Sequence, residues 1–151
     1  MALAILGKYP ERKAIAPVLI KVAQDKLNRF RMVYNLLDGR ALRLGIELPD
    51  DMYTKQLSWL KKGGKEDRFI YQLLTAAVIH ERECMMLELF QQVVSDKDLA
   101  DKYQIFLGSV NPYTGMLGHY LSEVVLRDKM AEMSLAEAKI YEGIALAPAL
   151  H

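Results

Sequence analysis

Apolar residues along this chain recur at spacings of three, four and five rather than two, the period of one face of an α-helix. Between residues 11 and 38 the recurring positions are Val18, Val22, Leu27, Phe30, Val33, Tyr34 and Leu37. Pro17 falls inside this stretch, so the helix either starts beside it or kinks there, and Gly39 suits its end. The strongest helix is predicted over 66–94, on Phe69, Leu73, Leu74, Ala77, Val78, Met85, Leu89 and Phe90. A short helix is expected over 51–59, with Asp50 or Asp51 as its cap. Another over 98–126 is interrupted at Asn111-Pro112, and a last one covers 129–144. Pro10 closes a short apolar opening segment and suits a helix first turn. The stretches 61–65 (KKGGK) and 95–98 (SDKD) read as breaks. No period-two run predicts a strand. Long helices joined by short turns predict an all-α chain, packed as an antiparallel bundle in a single domain over 1–151.

Composition supports a folded chain. Of 151 residues 52% are apolar and 26% charged, enough apolar material to offset chain entropy and exclude disorder as the main state. Cys84 is the one cysteine, so no internal disulfide forms. No apolar run reaches the ~18 residues of a membrane span. Residues 1–7 are apolar but too short for a secretory signal and lack a basic region, so a cytoplasmic protein is expected. The net charge of +1 hides an uneven spread: residues 1–65 carry 13 Lys and Arg against 6 Asp and Glu, and residues 66–151 carry 7 against 13. Either the basic half faces an acidic partner, or the two halves neutralise each other within one bundle.

Three constellations carry candidate chemistry. Tyr53, Lys55, Trp59, Lys61, Lys62 and Lys65 surround a Gly-Gly turn. Ammonium groups on phosphates and rings against bases would suit RNA. The plainer reading is a solvated turn with Trp59 tucked into the core. His80, Glu83 and Cys84 lie within one helical turn, and a His and Cys four apart supply two ligands of a zinc site. A second cysteine is absent and the other histidines are His119 and His151, so packing is the expected role of His80. Met85, Met86, Met116, Met130 and Met133 add adaptable apolar volume, as core filling or, where exposed, as a partner surface.

Several stretches together, in order along nearly the whole chain, resemble one family. They are residues 6–11 (LGKYPE), 27–33 (LNRFRMV), 60–64 (LKKGG), 73–84 (LLTAAVIHEREC), 99–103 (LADKY) and the closing Leu-His. They resemble the tRNA 2-methylthio-isopentenyladenosine hydroxylase (MiaE) family, and the AAVIxxRxC run is the most specific of them. The resemblance implies a ferritin-like antiparallel helical bundle, here with a shortened first helix. It also implies iron-dependent hydroxylation of a hypermodified tRNA base. Two irons would be held by two lone Glu and two Glu-x-x-His pairs projecting into the bundle.

The positions that the resemblance assigns to those ligands hold other residues. The first lone Glu would fall upstream of Met1. The first Glu-x-x-His falls on Lys26 and Arg29, the second lone Glu on His80, and the second Glu-x-x-His on Val110 and Tyr113. The expectation is therefore no cofactor, with di-iron only if the site is rebuilt. In place of the metal, Lys26 and Arg29 would form a buried charge cluster with His80, Glu81 and Glu83, because a buried charge needs a partner. A bundle short of half a helix would leave an apolar groove for a second copy or a protein partner. The leading reading is thus a non-catalytic binding or structural subunit. One alternative is a tRNA-modifying monooxygenase with a site rebuilt from Glu81, Glu83, Glu88, His119 and Glu123. Another is a tRNA-binding module without catalysis.

Overall fold

The computed structural model describes residues 1–43, 52–60, 63–96, 101 and 110–144. Its helices are α1 (Ala2–Lys8), α2 (Ala16–Asp38), α3 (Met52–Trp59), α4 (Lys65–Val93), α5 (Pro112–Leu117) and α6 (Glu123–Gly143). No strand occurs among the described residues, and none of their helices is long and apolar enough to cross a membrane.

Local chemistry sets the boundaries and corrects three expectations. Pro17 lies in the first turn of α2, where its missing N–H costs nothing, so the helix starts there instead of kinking. Pro10 belongs to the turn between α1 and α2, not to a helix first turn. The C-terminal helices divide elsewhere than expected. Asn111 Oδ1 accepts from the Tyr113 N–H at 3.1 Å, and Pro112 follows it at the first helical position, so the proline opens α5. The Ser122 hydroxyl caps α6, which starts at Glu123 and not near 129. Before α4, Gly63 takes φ +85°, and a Cβ there would run into the Asp67 carboxylate. That carboxylate accepts from the Gly64 N–H at 3.1 Å and starts the helix. The Asp50 or Asp51 cap, the 97–98 part of the SDKD turn and the chain end fall outside the described residues.

Contacts between distant residues give the topology. Arg12 pairs with Glu66, Lys26 with Glu83, and Arg40 with Asp96 at 2.6 Å. Both members of these pairs advance together, so α2 and α4 run parallel. Two parallel helices need a crossover connection, here the stretch containing α3, and one such crossover is the ferritin-like arrangement. Asn111 meets Ala77 and Tyr120 meets Phe69, so α5 and its following turn run against α4. α6 runs along α4, with Glu137 on Arg82 and Lys129 over Tyr71. These three pairs, one between α2 and α4 and the others beside their ends, each join a base of the first half to an acid of the second.

The core is concentrated at one end. Ile5, Leu19, Phe69, Leu73, Leu117 and Met116 are buried, together with Tyr9 and Tyr113. Phe69 meets Tyr9 and Tyr120 edge-on, at 5.0 and 5.1 Å between ring centres. The other end is open. Leu27 is 68% exposed, and Phe30 and Tyr34 of α2 and Met85, Met86 and Leu89 of α4 are also exposed. The methionines divide accordingly: Met116 and Met133 fill core, and Met85 and Met86 face outward.

Candidate functional site

Where the core ends, the start of α1 and residues of α2, α3, α4 and α5 surround a cavity of about 520 Å³. Its polar lining comes from Lys26, Thr54, His80, Glu83 and Tyr113. Each has a local reason to be there. Lys26 lies one helical turn past Val22, at the edge of the buried face of α2. His80 ends the run of buried residues that starts at Phe69 on α4. Tyr113 is carried in by the Asn111 cap, whose side-chain amide also donates to the Ala77 carbonyl at 3.0 Å. The cavity opens into an apolar groove of about 750 Å³ between α2, α3 and α4, and the two share Lys26, Thr54, Ile79 and Glu83. Phe30, Val33, Met86 and Phe90 form much of the groove wall.

Lys26 donates to Glu83 across the gap between α2 and α4. Both side chains are partly solvated, at 41% and 43% exposure, so the pair is not a buried cluster. Among the expected members only His80 is buried. Its Nε2 is 3.8 Å from Cys84 Sγ, and its ring meets Tyr113 edge-on at 6.4 Å. Burial pushes the Cys84 thiol up, against the lowering pull of Arg29, which suits an inert thiol. Burial also pushes Tyr113 up to about 12, with Glu83 adding to it, so its hydroxyl keeps its proton and serves as a donor. Glu81 is exposed and accepts from Asn111 Nδ2 at 3.3 Å, away from Lys26. Arg29 lines the groove, and Val110 sits exposed at the edge of a smaller cavity.

At Lys26 this donor set does not fit an iron ligand, because an ammonium offers protons and no lone pair, and it engages Glu83. Of the residues named for a rebuilt site, Glu83 lines the cavity, and Glu81, Glu88, His119 and Glu123 are exposed on α4, the turn after α5 and the start of α6. Among the described residues no three His, Cys, Asp or Glu side chains gather together.

The basic-aromatic stretch is divided. Trp59 is 71% exposed, so it is not tucked into the core. Lys55 is exposed, and Lys65 pairs with Glu11 at 2.9 Å. Tyr53 is turned inward, its hydroxyl donating to Glu137 at 2.8 Å, so it offers no ring to a base. Lys61 and Lys62 lie outside the described residues.

That contact belongs to a cluster the residue pattern does not single out. Arg82 donates twice to Glu137, at 2.8 and 2.7 Å, and stacks over Tyr141 at 4.3 Å. Glu137 is only 4% exposed. Burial pushes its carboxyl up, but Arg82 and Tyr53 together outweigh this and hold it below the usual carboxylate range. Burial and Glu137 raise the Tyr53 hydroxyl well above its ordinary value. The available signal was Glu137 four residues after Met133, an acid on an apolar face.

Comparison with known proteins places the fold and the family. No curated protein matches the sequence. A solved structure described as protein 43 with aldehyde deformylating oxygenase activity, from Synechococcus, is 22% identical. It superimposes with a TM-score of 0.87 over 97% of this chain and 75% of that one. At that identity the likeness establishes the fold, a ferritin-like bundle. The family model described as tRNA-(MS[2]IO[6]A)-hydroxylase matches residues 1–151, so the chain belongs to the MiaE family.

Proposed function

We propose that this member of a di-iron hydroxylase family binds a partner through its apolar groove and does not hydroxylate tRNA. The observation that carries the reading is the Lys26–Glu83 ion pair, which spans α2 and α4 where the family resemblance puts iron ligands. A fixed ammonium supplies the positive charge a metal would bring, and it balances the one carboxylate at the cavity. The protein would then hold its bundle together without metal. The open end, with Leu27, Phe30, Met86 and Leu89 exposed, supports a role in binding. A second copy or a protein partner in the same groove is the other form of this reading.

A second reading is favoured by one observation. Trp59 and Lys55 are exposed side by side on α3, an arrangement suited to single-stranded RNA. One experiment separates the readings. Purified protein is incubated with ferrous iron, reductant, oxygen and tRNA carrying 2-methylthio-isopentenyladenosine, and fluorescence of Trp59, the single tryptophan, is followed. The expected result is no hydroxylated base above the protein-free control and no salt-dependent quenching of Trp59. Hydroxylated base formed with turnover would overturn the non-catalytic reading. Quenching that weakens steeply with salt, without product, would establish the RNA-binding alternative.

A further inference from the structure

The apolar residues of α2 form two stripes. Leu19 and Val22 are buried, and Lys26 and Val33 continue their stripe toward Glu83 and the groove. The second stripe is Ile20, Ala23, Leu27, Phe30, Tyr34 and Leu37. Its spacings of three, four, three, four and three are those of a coiled-coil seam. Ile20, Leu27, Phe30 and Tyr34 are 44, 68, 54 and 50% exposed, so the described residues leave most of the seam uncovered. Size and charge decide what fits it. Set antiparallel against a second α2, Ile20 meets the partner's Leu37, Ala23 meets the partner's Tyr34, and Leu27 meets the partner's Phe30. The smallest side chain thus faces one of the largest. On the flank, Lys21 comes to the partner's Asp38, Gln24 to the partner's Asn35 and Asn28 to the partner's Arg31, so no like charges meet. All of these flank positions are exposed. Lys21 also contacts Asp25 at 3.5 Å but stays 75% exposed, within reach of a second carboxylate. Parallel pairing would instead bring Arg31 to the partner's Lys26, cation against cation. The four exposed side chains offer about 400 Å² per copy, taking ~150–250 Å² for each when whole. Doubled and with the flanks added, the contact buries about 1,000 Å², the lower limit for a specific interface.

We propose that two copies of this chain associate through an antiparallel α2–α2 contact, with Leu27 and Phe30 at its two-fold centre. This deepens the binding reading above, on which it rests, by making a second copy the partner. Phe30 also forms part of the groove wall, so the contact borders the groove.

The test is sedimentation equilibrium of the full chain at low salt, from micromolar to submillimolar concentration. A reversible monomer–dimer equilibrium is expected, with a dissociation constant on the order of 10 μM, as suits an interface near the lower size limit. Leu27→Glu should weaken the dimer by at least about a hundredfold, because symmetry places two carboxylates in its central layers. Leu27 is exposed in the single chain, so circular dichroism and the melting temperature should stay unchanged. Lys21→Glu alone and Asp38→Lys alone should each weaken the dimer by about fivefold, since symmetry repeats the lost surface pair. The two substitutions together should restore it. Restoration cannot come from misfolding, and neither parallel packing nor another face predicts it. A monomer at every concentration would overturn the proposal and leave the seam to a different protein. So would a dimer indifferent to Leu27→Glu, or single charge reversals that the double substitution does not rescue. The outcome is separable from the non-catalytic reading. A monomer that retains no iron would sink this inference alone, and a dimer that hydroxylates tRNA would sink that reading alone.

Discussion

Arg82→Ala should cost about 3–5 kcal/mol of folding stability, the range for a buried carboxylate stripped of its partner. The guanidinium donates twice to Glu137 and stacks on Tyr141, tying α4 to α6, and the Tyr53 hydroxyl brings α3 to the same carboxylate. Removing Arg82 leaves a carboxylate that is 4% exposed with one neutral donor. For a chain of this length the melting temperature should fall by on the order of 10 °C. Arg82→Lys, which keeps the charge and loses the fork, should fall between the two. The pH dependence identifies the cause. In the wild type Glu137 is held low in the folded state, so its contribution is complete above the ordinary glutamate value of about 4.3 and is lost as pH falls through the lowered folded value. In Arg82→Ala burial dominates and raises the folded value, so the carboxylate destabilises above pH ~4.3 and ceases to do so once protonated. The difference between the two proteins should be largest near neutrality and shrink toward acid. A difference that is constant with pH, or smaller than about 1 kcal/mol, would show that the cluster does not anchor the fold.

Phe69→Ala should destabilise by a similar amount, about 3–5 kcal/mol, through a different mechanism. Phe69 is fully buried, touches the rings of Tyr9 and Tyr120, and lies under the Arg12 guanidinium at 4.7 Å. The substitution opens a cavity where the end of α1, the start of α4 and the turn after α5 meet. No titrating group is stranded, so the loss should be independent of pH between 5 and 8 and should appear as a lower urea midpoint with an unchanged slope. A changed slope would mean that α1 detaches on its own and the core is not one cooperative unit.

The contrast between these residues explains how much could be read beforehand. Phe69, Leu73 and Leu74 repeat at the helical period, and periodicity is a local property of the chain, so α4 was predicted to within one residue at each end. Helix starts were harder. Asn111-Pro112 read as an interruption because a proline within an apolar pattern has two meanings; the Asn111 cap on the Tyr113 N–H makes it the opening of α5, and the contact to the Ala77 carbonyl places that opening against α4. The parallel course of α2 and α4 rests on pairs more than fifty residues apart and has no local sign. At the site, Lys26 and Glu83 could be named as charges of opposite sign on helices expected to meet. The Arg82–Glu137 pair could not, because an acid on an apolar face has many candidate partners. The clearest error was burial: Lys26 and Glu83 reach solvent because this end of the bundle is open.

The central claim is that a fixed ammonium stands where iron ligands would be. The most direct measurement is metal content after anaerobic incubation of the full chain with ferrous iron, followed by desalting. The account predicts no retained iron above the level of the Lys26→Ala variant. Retention of about two irons per chain, the complement of a ferritin-like carboxylate site, would contradict it and restore tRNA hydroxylation as the leading function.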